Sequence, residues 1–408
     1  MARSSGKARA PQTSTRRKSR SAGSIVGWIV VVLIVLTALF YGGGGWYFSS
    51  EVYERAFKVE PIDSSPYDIT VDRAEADVVV LRADPEAQYI NTDGTFGLIS
   101  DTEASVVGDI LSAETSDGIS TVHRSRDPEG PIPPSGTAVR LDPFVWPGDP
   151  NTALGIAFQD IEYPIEGGAA AAWYVPGASD TWMIFVHGKG APKNEALRML
   201  PIAVERGYHA MVIDYRNDPD APRDPSGEYR YGLTEWKDLT AAGRYAKEHG
   251  GKNLILVGYS MGGANVMSYL LQSPLRNQTV AAILDSPMLD FESTVDHGAS
   301  QETLPLTPIT LPESLVATAK WFAGWRFDID WEALNYVDQW RDLHTPTLII
   351  QGTGDDSVPV EPAHELARIR SDIITLVTPA RVGHVLAWND NPEGYEALIN
   401  SFLDGLGV

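Results

Sequence analysis

The sequence predicts an α/β fold with a mostly parallel central sheet, preceded by an N-terminal transmembrane helix and a small β-rich region. From residue 156 onward, apolar segments of strand length alternate with segments of helical periodicity. This alternation is typical of a parallel sheet that is covered by helices on both faces. The motif Gly258-Tyr259-Ser260-Met261-Gly262 joins one such strand to a helix, and an uncharged apolar stretch near the N-terminus is long enough to span a bilayer.

Composition excludes several classes of partner and site. The chain has 408 residues, a net charge of -22 and no cysteine, with 43% hydrophobic and 21% charged residues as in ordinary globular proteins. Residues 1–20 contain seven Lys or Arg and no acid, so the remaining chain is more acidic still. Such a body repels phosphate, and we expect no nucleic-acid partner. Without cysteine there is no disulfide, thiolate metal site or thiol nucleophile.

The apolar stretch near the N-terminus predicts a single membrane span. Residues 21–50 carry no charge, and Ile25 to Tyr41 is almost entirely apolar. Continued to Phe48, this stretch crosses a hydrocarbon core of about 30 Å at about 1.5 Å per residue. We therefore predict a transmembrane helix in contact with the lipid bilayer over residues 23–48.

Charges on the two sides of this span predict its orientation. A basic, disordered cytoplasmic tail is expected over residues 1–22, and Glu51 and Glu54 follow the span. By the positive-inside rule the N-terminus then lies in the cytoplasm and the rest of the chain outside the cell membrane. A cleaved signal peptide is the alternative, but the apolar region is long for one and no convincing small-x-small cleavage site follows it.

The two regions after the span differ in pattern. Residues 49–150 are predicted to be β-rich, with short strands at 68–72, 78–81 and 138–141 and a proline-rich loop at 127–136, packed on the next domain. Residues 151–408 are predicted to form the α/β domain. Its segments are a hairpin at 156–175, strands at 182–186, 209–215, 253–257, 280–284, 347–351 and 373–377, and helices at 195–205, 234–249, 264–271, 362–369 and 392–406. Ligands of such a sheet gather beyond the carboxyl ends of its strands.

Ser260 is the predicted nucleophile. A strand that turns sharply into a helix needs small residues two before and two after the turning residue, because larger side chains would collide. Gly258 and Gly262 occupy these positions. The serine at the apex takes strained dihedrals and exposes its hydroxyl. A glycine-rich turn without a catalytic role is the structural alternative.

A serine nucleophile requires a base, and the base requires an orienting acid. His384 follows the last predicted strand and is the predicted base. Asp355, in a turn after the preceding strand, is the predicted acid, with Asp356 and Asp285 as competing candidates. The chain order Ser260, Asp355, His384 is the order expected for this arrangement.

Backbone amides should stabilise the oxyanion that forms when the serine attacks. The amide of Met261 starts the helix after the nucleophile, and the amide of Lys189 lies in a glycine-rich loop after the 182–186 strand. His187, in the same loop, is interpreted as a structural residue. No metal-ligand cluster and no phosphate-cradling lysine motif is evident in the sequence, so we expect no cofactor or metal.

These residues carry a resemblance to a known family. The motifs are Val186-His187-Gly188, Gly258-Tyr259-Ser260-Met261-Gly262, Gly352-x-x-Asp355-x-x-Val358-Pro359 and Gly383-His384. Together they resemble the α/β-hydrolase superfamily, in particular its prolyl-oligopeptidase-like and serine-aminopeptidase-like esterase branch. The phrases Tyr215-Arg216-Asn217-Asp218 and Tyr231-Gly232-Leu233-Thr234-Glu235-Trp236 are similar to those of membrane-anchored actinobacterial α/β hydrolases.

The resemblance covers roughly residues 155–408. It implies the α/β-hydrolase fold, a Ser-His-Asp triad and acyl hydrolysis, but no defined substrate. One departure is Gln351, where many relatives have histidine, and we expect it to matter little because it precedes the acid turn.

Residues 291–340 do not continue the alternation of strands and helices. The α/β-hydrolase fold commonly carries a cap over the active site at this point of the chain. An aromatic cluster lies there or close after His384, and it predicts either a wall for the substrate or a core that holds the cap. Its members are Trp321, Phe322, Trp325, Phe327, Trp331 and Trp388.

The sequence therefore predicts a membrane-anchored serine esterase that acts on a small-molecule acyl ester. Three alternatives stay open. A peptidase of the same fold would usually recognise a substrate terminus through a charged group, and none is identified. An acyltransferase would use the same triad while excluding water. A non-catalytic binding module would normally have lost part of the triad.

Overall fold

The structure is a computed structural model that describes residues 22–59, 65–128, 130–131 and 133–408. The tail predicted over residues 1–22 therefore lies outside the described residues except at Ala22. The helices are α1 Ala22–Ala56, α2 Pro150–Leu154, α3 Leu200–Glu205, α4 Trp236–Glu248, α5 Met261–Gln272, α6 Phe291–Gln301, α7 Glu313–Phe327, α8 Glu361–Ile369, α9 Ala387–Asp390 and α10 Pro392–Leu406.

The strands form two separate sheets. Those of the first are β1 Ile69–Ala74, β2 Val78–Ala83, β3 Phe96–Ile99, β4 Ala104–Ser116, β5 Ile119–Arg126 and β6 Ala138–Asp142. Those of the second are β7 Gln159–Ile165, β8 Gly168–Val175, β9 Thr181–Val186, β10 His209–Ile213, β11 Asn253–Tyr259, β12 Thr279–Asp285, β13 Thr347–Ile350 and β14 Ile374–Val377.

The second sheet confirms the predicted α/β fold. Its eight strands lie in the order β14-β13-β12-β11-β9-β10-β8-β7. The strands from β9 to β14 pair in parallel, and β8 and β7 form the predicted antiparallel hairpin at one edge. All six residues of β9 are buried, as expected for a strand covered on both faces. The carboxyl ends of β9, β11, β13 and β14 therefore meet along one side of the sheet.

One predicted helix is divided in two. Residues 195–205 form a 3₁₀ turn, Lys193–Arg198, followed by the short helix α3. Pro201 lies in the first turn of α3. Because proline has no backbone N–H to donate to the preceding turn, it is tolerated at a helix start but not in the middle of a longer helix.

The β-rich region is a closed antiparallel barrel in the order β1-β2-β5-β4-β3-β6. The sequence predicts β1, β2 and β6 but misses the three strands between them. Every second residue of β5 is buried, as in a strand with one face in the core. Two of these buried residues are arginines, so the sequence does not show the alternation of apolar and polar residues that predicts a strand. Arg124 is fully buried and donates to the carbonyls of Tyr89, Gly94 and Gly108 at 2.9–3.1 Å.

The helix α1 is longer than the predicted span and continues past Phe48 to Ala56. Its apolar part has a mean hydropathy of 2.3, and the helix is long and apolar enough to cross a membrane by length and composition. Residues 26–40 are exposed along their whole length. From Tyr41 onward, α1 packs against the cap helix α7. We call residues 26–40 the exposed half of α1 and residues 41–56 its docked half.

Candidate active site

Ser260 lies at the sharp turn between β11 and α5. Its φ of 50° and ψ of -115° are strained for a residue with a side chain. A Cβ atom on Gly258 would lie 2.5 Å from the carbonyl oxygen of Gly262, and one on Gly262 would lie 2.1 Å from that of Val186. Both glycines are therefore required by the backbone, as the sequence argument expects.

The structure brings the three predicted residues together. The Nε2 atom of His384 lies 2.8 Å from Ser260 Oγ, and its Nδ1 atom lies 2.7 Å from Asp355 Oδ2. Asp355 Oδ1 also accepts the backbone N–H groups of Ser357 and Val358 at 2.9 and 2.8 Å. This chain of hydrogen bonds has the geometry of an activated nucleophile, its base and its orienting acid.

The competing acids are placed differently. Asp356 is exposed on the turn. Asp285 is buried at the end of β12 and accepts a hydrogen bond from Tyr395 Oη at 2.8 Å. Burial raises the pKa of Asp285 to about 6, and the pKa of Asp355 is lowered despite its burial because His384 and the turn amides favour its carboxylate. Asp355 is thus the only one of these three carboxylates that bonds to His384 among the described residues.

The two predicted oxyanion donors belong to the same site. Met261 and Lys189 line one cavity together with Ser260 and His384. The loop that carries Lys189 is held by Glu195, which accepts the backbone N–H of Gly188 at 2.7 Å. Glu195 is buried. The sequence does not reveal this contact, because Glu195 stands in a segment with the pattern of a helix.

A cavity of about 660 Å³ opens beside Ser260. The aromatic side chains that line it are Tyr47, Phe48, Tyr231 and Phe291. None of the cluster members in the predicted substrate wall lines it, so that interpretation is wrong. Within the cluster, Phe322 and Phe327 instead pack on Trp46 and Tyr53 of α1, because the cap docks against this helix.

Comparison with known proteins identifies the family. The model of the alpha/beta hydrolase family matches residues 174–398, more than half of the chain. This chain belongs to the alpha/beta hydrolase family. The fold agrees, since the structure of the esterase Pf2001 from Pyrococcus furiosus superposes with a TM-score of 0.50 at 21% identity, covering 64% of this chain and 96% of that one.

Two curated relatives are similar to this alpha/beta hydrolase. The uncharacterized protein YfhR of Escherichia coli O157:H7 is 22% identical over 274 residues, which is 65% of this chain and 86% of YfhR. The sn-1-specific diacylglycerol lipase ABHD11 of Mus musculus is 23% identical over 257 residues, which is 54% of this chain and 80% of ABHD11.

His187 of this hydrolase has the structural surroundings predicted for it. Its Nε2 atom lies 2.9 Å from Asp218 Oδ2 and its Nδ1 atom 2.8 Å from the Gly188 carbonyl oxygen. Burial disfavours the charged ring, but Asp218 outweighs it and raises the pKa of His187 to about 9. Ligand atoms of His187, Asp214 and Asp218 lie within 4.8 Å of one another, which would suit a metal ion. Lys193, however, already pairs with Asp214.

Gln351 has a larger role than the sequence argument expects. Its side chain is buried, and Nε2 donates to Asp355 Oδ2 at 2.8 Å, beside the bond from His384. The reason for expecting little effect, that position 351 merely precedes the acid turn, is therefore wrong. The acid turn folds back over the end of β13, so a residue four positions earlier in the sequence contacts the acid.

We expect Gln351→Met to lower kcat about tenfold, because a buried hydrogen bond to a carboxylate is worth about 1.5–3 kcal/mol and orients Asp355. KM for a soluble ester should stay within about twofold. Gln301→Met is the matched control, since Gln301 donates to the Asp356 carbonyl oxygen on the outside of the same turn. Equal effects of the two substitutions would contradict this role for Gln351.

Proposed function

We propose that this alpha/beta hydrolase is a membrane-anchored serine hydrolase that cleaves carboxylic esters through Ser260, His384 and Asp355. The observation that carries the proposal is the continuous contact from Ser260 Oγ through both nitrogens of His384 to Asp355 Oδ2, at 2.8 and 2.7 Å, inside a cavity that holds a ligand-sized volume. The esterase named among its structural neighbours supports an ester as the substrate class.

In this mechanism Ser260 Oγ attacks the ester carbonyl carbon while His384 Nε2 accepts the serine proton. Asp355 holds the imidazole in the tautomer that carries its proton on Nδ1 and stabilises the charged ring. The amides of Met261 and Lys189 receive the oxyanion. When the carbon–oxygen bond of the ester breaks, His384 protonates the leaving alcohol. A water molecule then attacks the acyl–serine ester in the same way and releases the carboxylic acid.

Anchoring through α1 is part of the proposal. The helix α1 is long and apolar enough to span a membrane by length and composition. The docked half of α1 packs against the cap, whereas a signal peptide that is cleaved off would need no such contact with the mature protein. The basic residues before α1 support a cytoplasmic N-terminus and a catalytic domain on the outer side.

The experiment that tests the proposal is labelling of the full chain in detergent by a fluorophosphonate probe. We expect wild-type protein to be labelled at Ser260, with the site identified by peptide mass spectrometry. Hydrolysis of butyrate esters, compared with aminoacyl amides and with acyl transfer to added alcohols, then separates an esterase from a peptidase or an acyltransferase. A folded wild-type protein that neither takes the label nor cleaves a short ester would refute the proposal.

The pH dependence of kcat/KM should follow the ionisation of His384. Burial disfavours its charged ring, but Asp355, with Asp285 and Glu195 farther away, outweighs burial and raises the pKa of His384 above 6.5. Only the neutral ring accepts the serine proton, so activity should be lost as pH falls through this pKa and reach a plateau above it. We expect a midpoint above pH 6.5 that moves to lower pH in Asp355→Asn. A midpoint below 6 in wild type would contradict the assignment.

A further inference from the structure

The docked half of α1 forms one wall of the active-site cavity. Residues Tyr47, Phe48, Glu51, Val52, Arg55 and Ala56 all line the space that contains Ser260. The segment from Tyr47 to Ala56 spans about 14 Å along the helix axis at about 1.5 Å per residue. One continuous helix therefore runs from the proposed hydrocarbon core to the nucleophile.

Among the described residues, the docked half of α1 contacts the hydrolase directly at several points. Tyr53 stacks on Phe327 of the cap with ring centroids 4.2 Å apart. At the end of the helix, Tyr231 Oη donates to the Ala56 carbonyl oxygen at 2.9 Å, and Phe57 is buried. Lys189 of the oxyanion loop also bonds through Nζ to the Arg55 carbonyl oxygen. The cavity is thus held at a set distance from the membrane.

The cap helix α7 runs parallel to α1, with its first residues nearest the membrane. Tyr41 Oη lies 2.9 Å from Ser314 Oγ near the start of α7, and Arg326 near its end donates to the Trp46 carbonyl oxygen at 2.8 Å. The glycines of α1 allow the close approach, since a Cβ on Gly45 would lie 2.8 Å from Thr318 Cγ2. The start of α7 therefore lies at the level of the apolar part of α1. Residues 303–311 lead to it from Glu302, which pairs with Arg55 near the other end of α1 at 2.6 Å.

The cap exposes apolar side chains in residues 303–311 and along α7. In the segment of residues 303–311, Leu306 is fully exposed and Ile309 is 57% exposed. In the second half of α7, near the level of Trp46, Trp321 and Trp325 are exposed and stack on each other with centroids 6.3 Å apart. Aromatic residues of this kind are enriched at membrane interfaces, and α1 adds the exposed Trp46 and Tyr47. A bilayer around α1 would cover these side chains.

The same segment also borders the cavity. Thr303, Pro305 and Leu311 line it from one side, and Leu315 and Ala319 of α7 line it from another. The lining at this end is mostly apolar, which suits an acyl chain better than a charged group. Apolar lining of the cavity thus extends from Ser260 toward the start of α7, beside the ion pairs that Arg55 forms with Glu51 and Glu302.

We propose, given the serine hydrolysis proposed above, that the substrate is a carboxylic ester of a membrane lipid whose acyl chain enters the cavity directly from the bilayer, between α1 and residues 303–311. The occupant of the exposed apolar surface is then the lipid of the outer leaflet. The ester carbonyl reaches Ser260 while the rest of the lipid stays in the membrane.

A first experiment measures membrane contact without using activity. The chain has no cysteine, so Leu306→Cys in the full-length protein accepts a single environment-sensitive fluorophore. In phosphatidylcholine vesicles with nitroxide-labelled acyl chains we expect a blue-shifted emission and strong quenching. Leu111→Cys is the matched control, because Leu111 is 58% exposed but lies on β4 of the barrel. A water-exposed fluorophore at position 306, like that expected at 111, would overturn the proposal.

A second experiment compares two esters with the same protein in the same vesicles. We expect Leu306→Asp to lower hydrolysis of a long-chain diacylglycerol in the bilayer at least tenfold and to leave hydrolysis of a soluble butyrate ester within twofold. Leu111→Asp should change neither rate. If both rates of Leu306→Asp fall together, or if neither falls, entry from the bilayer is refuted.

The outcomes separate this inference from the proposed function. Wild-type protein that cleaves the soluble ester but not the bilayer ester overturns the lipid substrate and leaves serine hydrolysis in place. Cleavage of the soluble ester that persists in Ser260→Ala overturns the proposed function, whatever the fluorophore at position 306 reports.

Discussion

Ser260→Ala is expected to lower kcat for a short-chain ester by about 10⁴- to 10⁶-fold and to abolish fluorophosphonate labelling. The reason is that the hydroxyl 2.8 Å from His384 Nε2 is the group that forms the acyl–enzyme bond, and the remaining catalysis would come only from binding and the oxyanion donors. Steady-state kinetics on the purified full chain, with folding checked by circular dichroism, give the measurement.

We expect His384→Ala to lower kcat by about the same factor as Ser260→Ala. The variant with both substitutions should be no slower than either single variant, because the two residues act as a unit. Ser300→Ala, an exposed serine on α6, should retain full activity. Additive losses in the double variant would mean that Ser260 and His384 do not act in one step. Residual labelling in Ser260→Ala would move the nucleophile to another residue.

Asp355→Asn is the second large effect, with an expected loss in kcat of about 10⁴-fold. An asparagine amide would donate to His384 Nδ1, which places the imidazole proton on Nε2, where the serine proton must go. The adjacent Asp356→Asn should stay within about threefold of wild type, because Asp356 is exposed and does not bond to His384.

This pair of variants also decides between the acids that the sequence left in competition. A large loss in Asp356→Asn with little effect of Asp355→Asn would reverse the assignment. Unfolding curves in urea should accompany both kinetic measurements, because Asp355 is buried and also accepts two backbone N–H groups of its turn.

The parts of the molecule that sequence predicts well are those with local causes. The apolar stretch of α1 is contiguous, so composition alone identifies it. The elbow around Ser260 is local as well, since Gly258 must make room for Gly262 four residues later. The alternation of strands and helices from β7 to α10 follows from the periodicity of burial along each element.

Prediction from the sequence fails where contacts join distant parts of the chain or where polar residues occupy core positions that are usually apolar. The barrel strand β5 is not predicted from the sequence, because buried arginines occupy core positions. The contacts of Gln351 and Glu195 are not predictable from sequence, because they depend on which carboxylate or amide the folded chain brings to these residues. A side-chain amide or carboxylate carries no local pattern that reveals such a partner.

The sequence by itself determined the fold class, the position of a helix long and apolar enough to span a membrane, and Ser260 and His384 as the residues proposed for attack and proton transfer. Only the tertiary structure decided that Asp355 is the acid that bonds to His384, and that α1 lines the cavity. The contact between Tyr41 and Ser314 joins residues 273 positions apart, and no local periodicity encodes such a pairing. It forms because the glycines of α1 and the apolar face of α7 fit closely when both helices are in place.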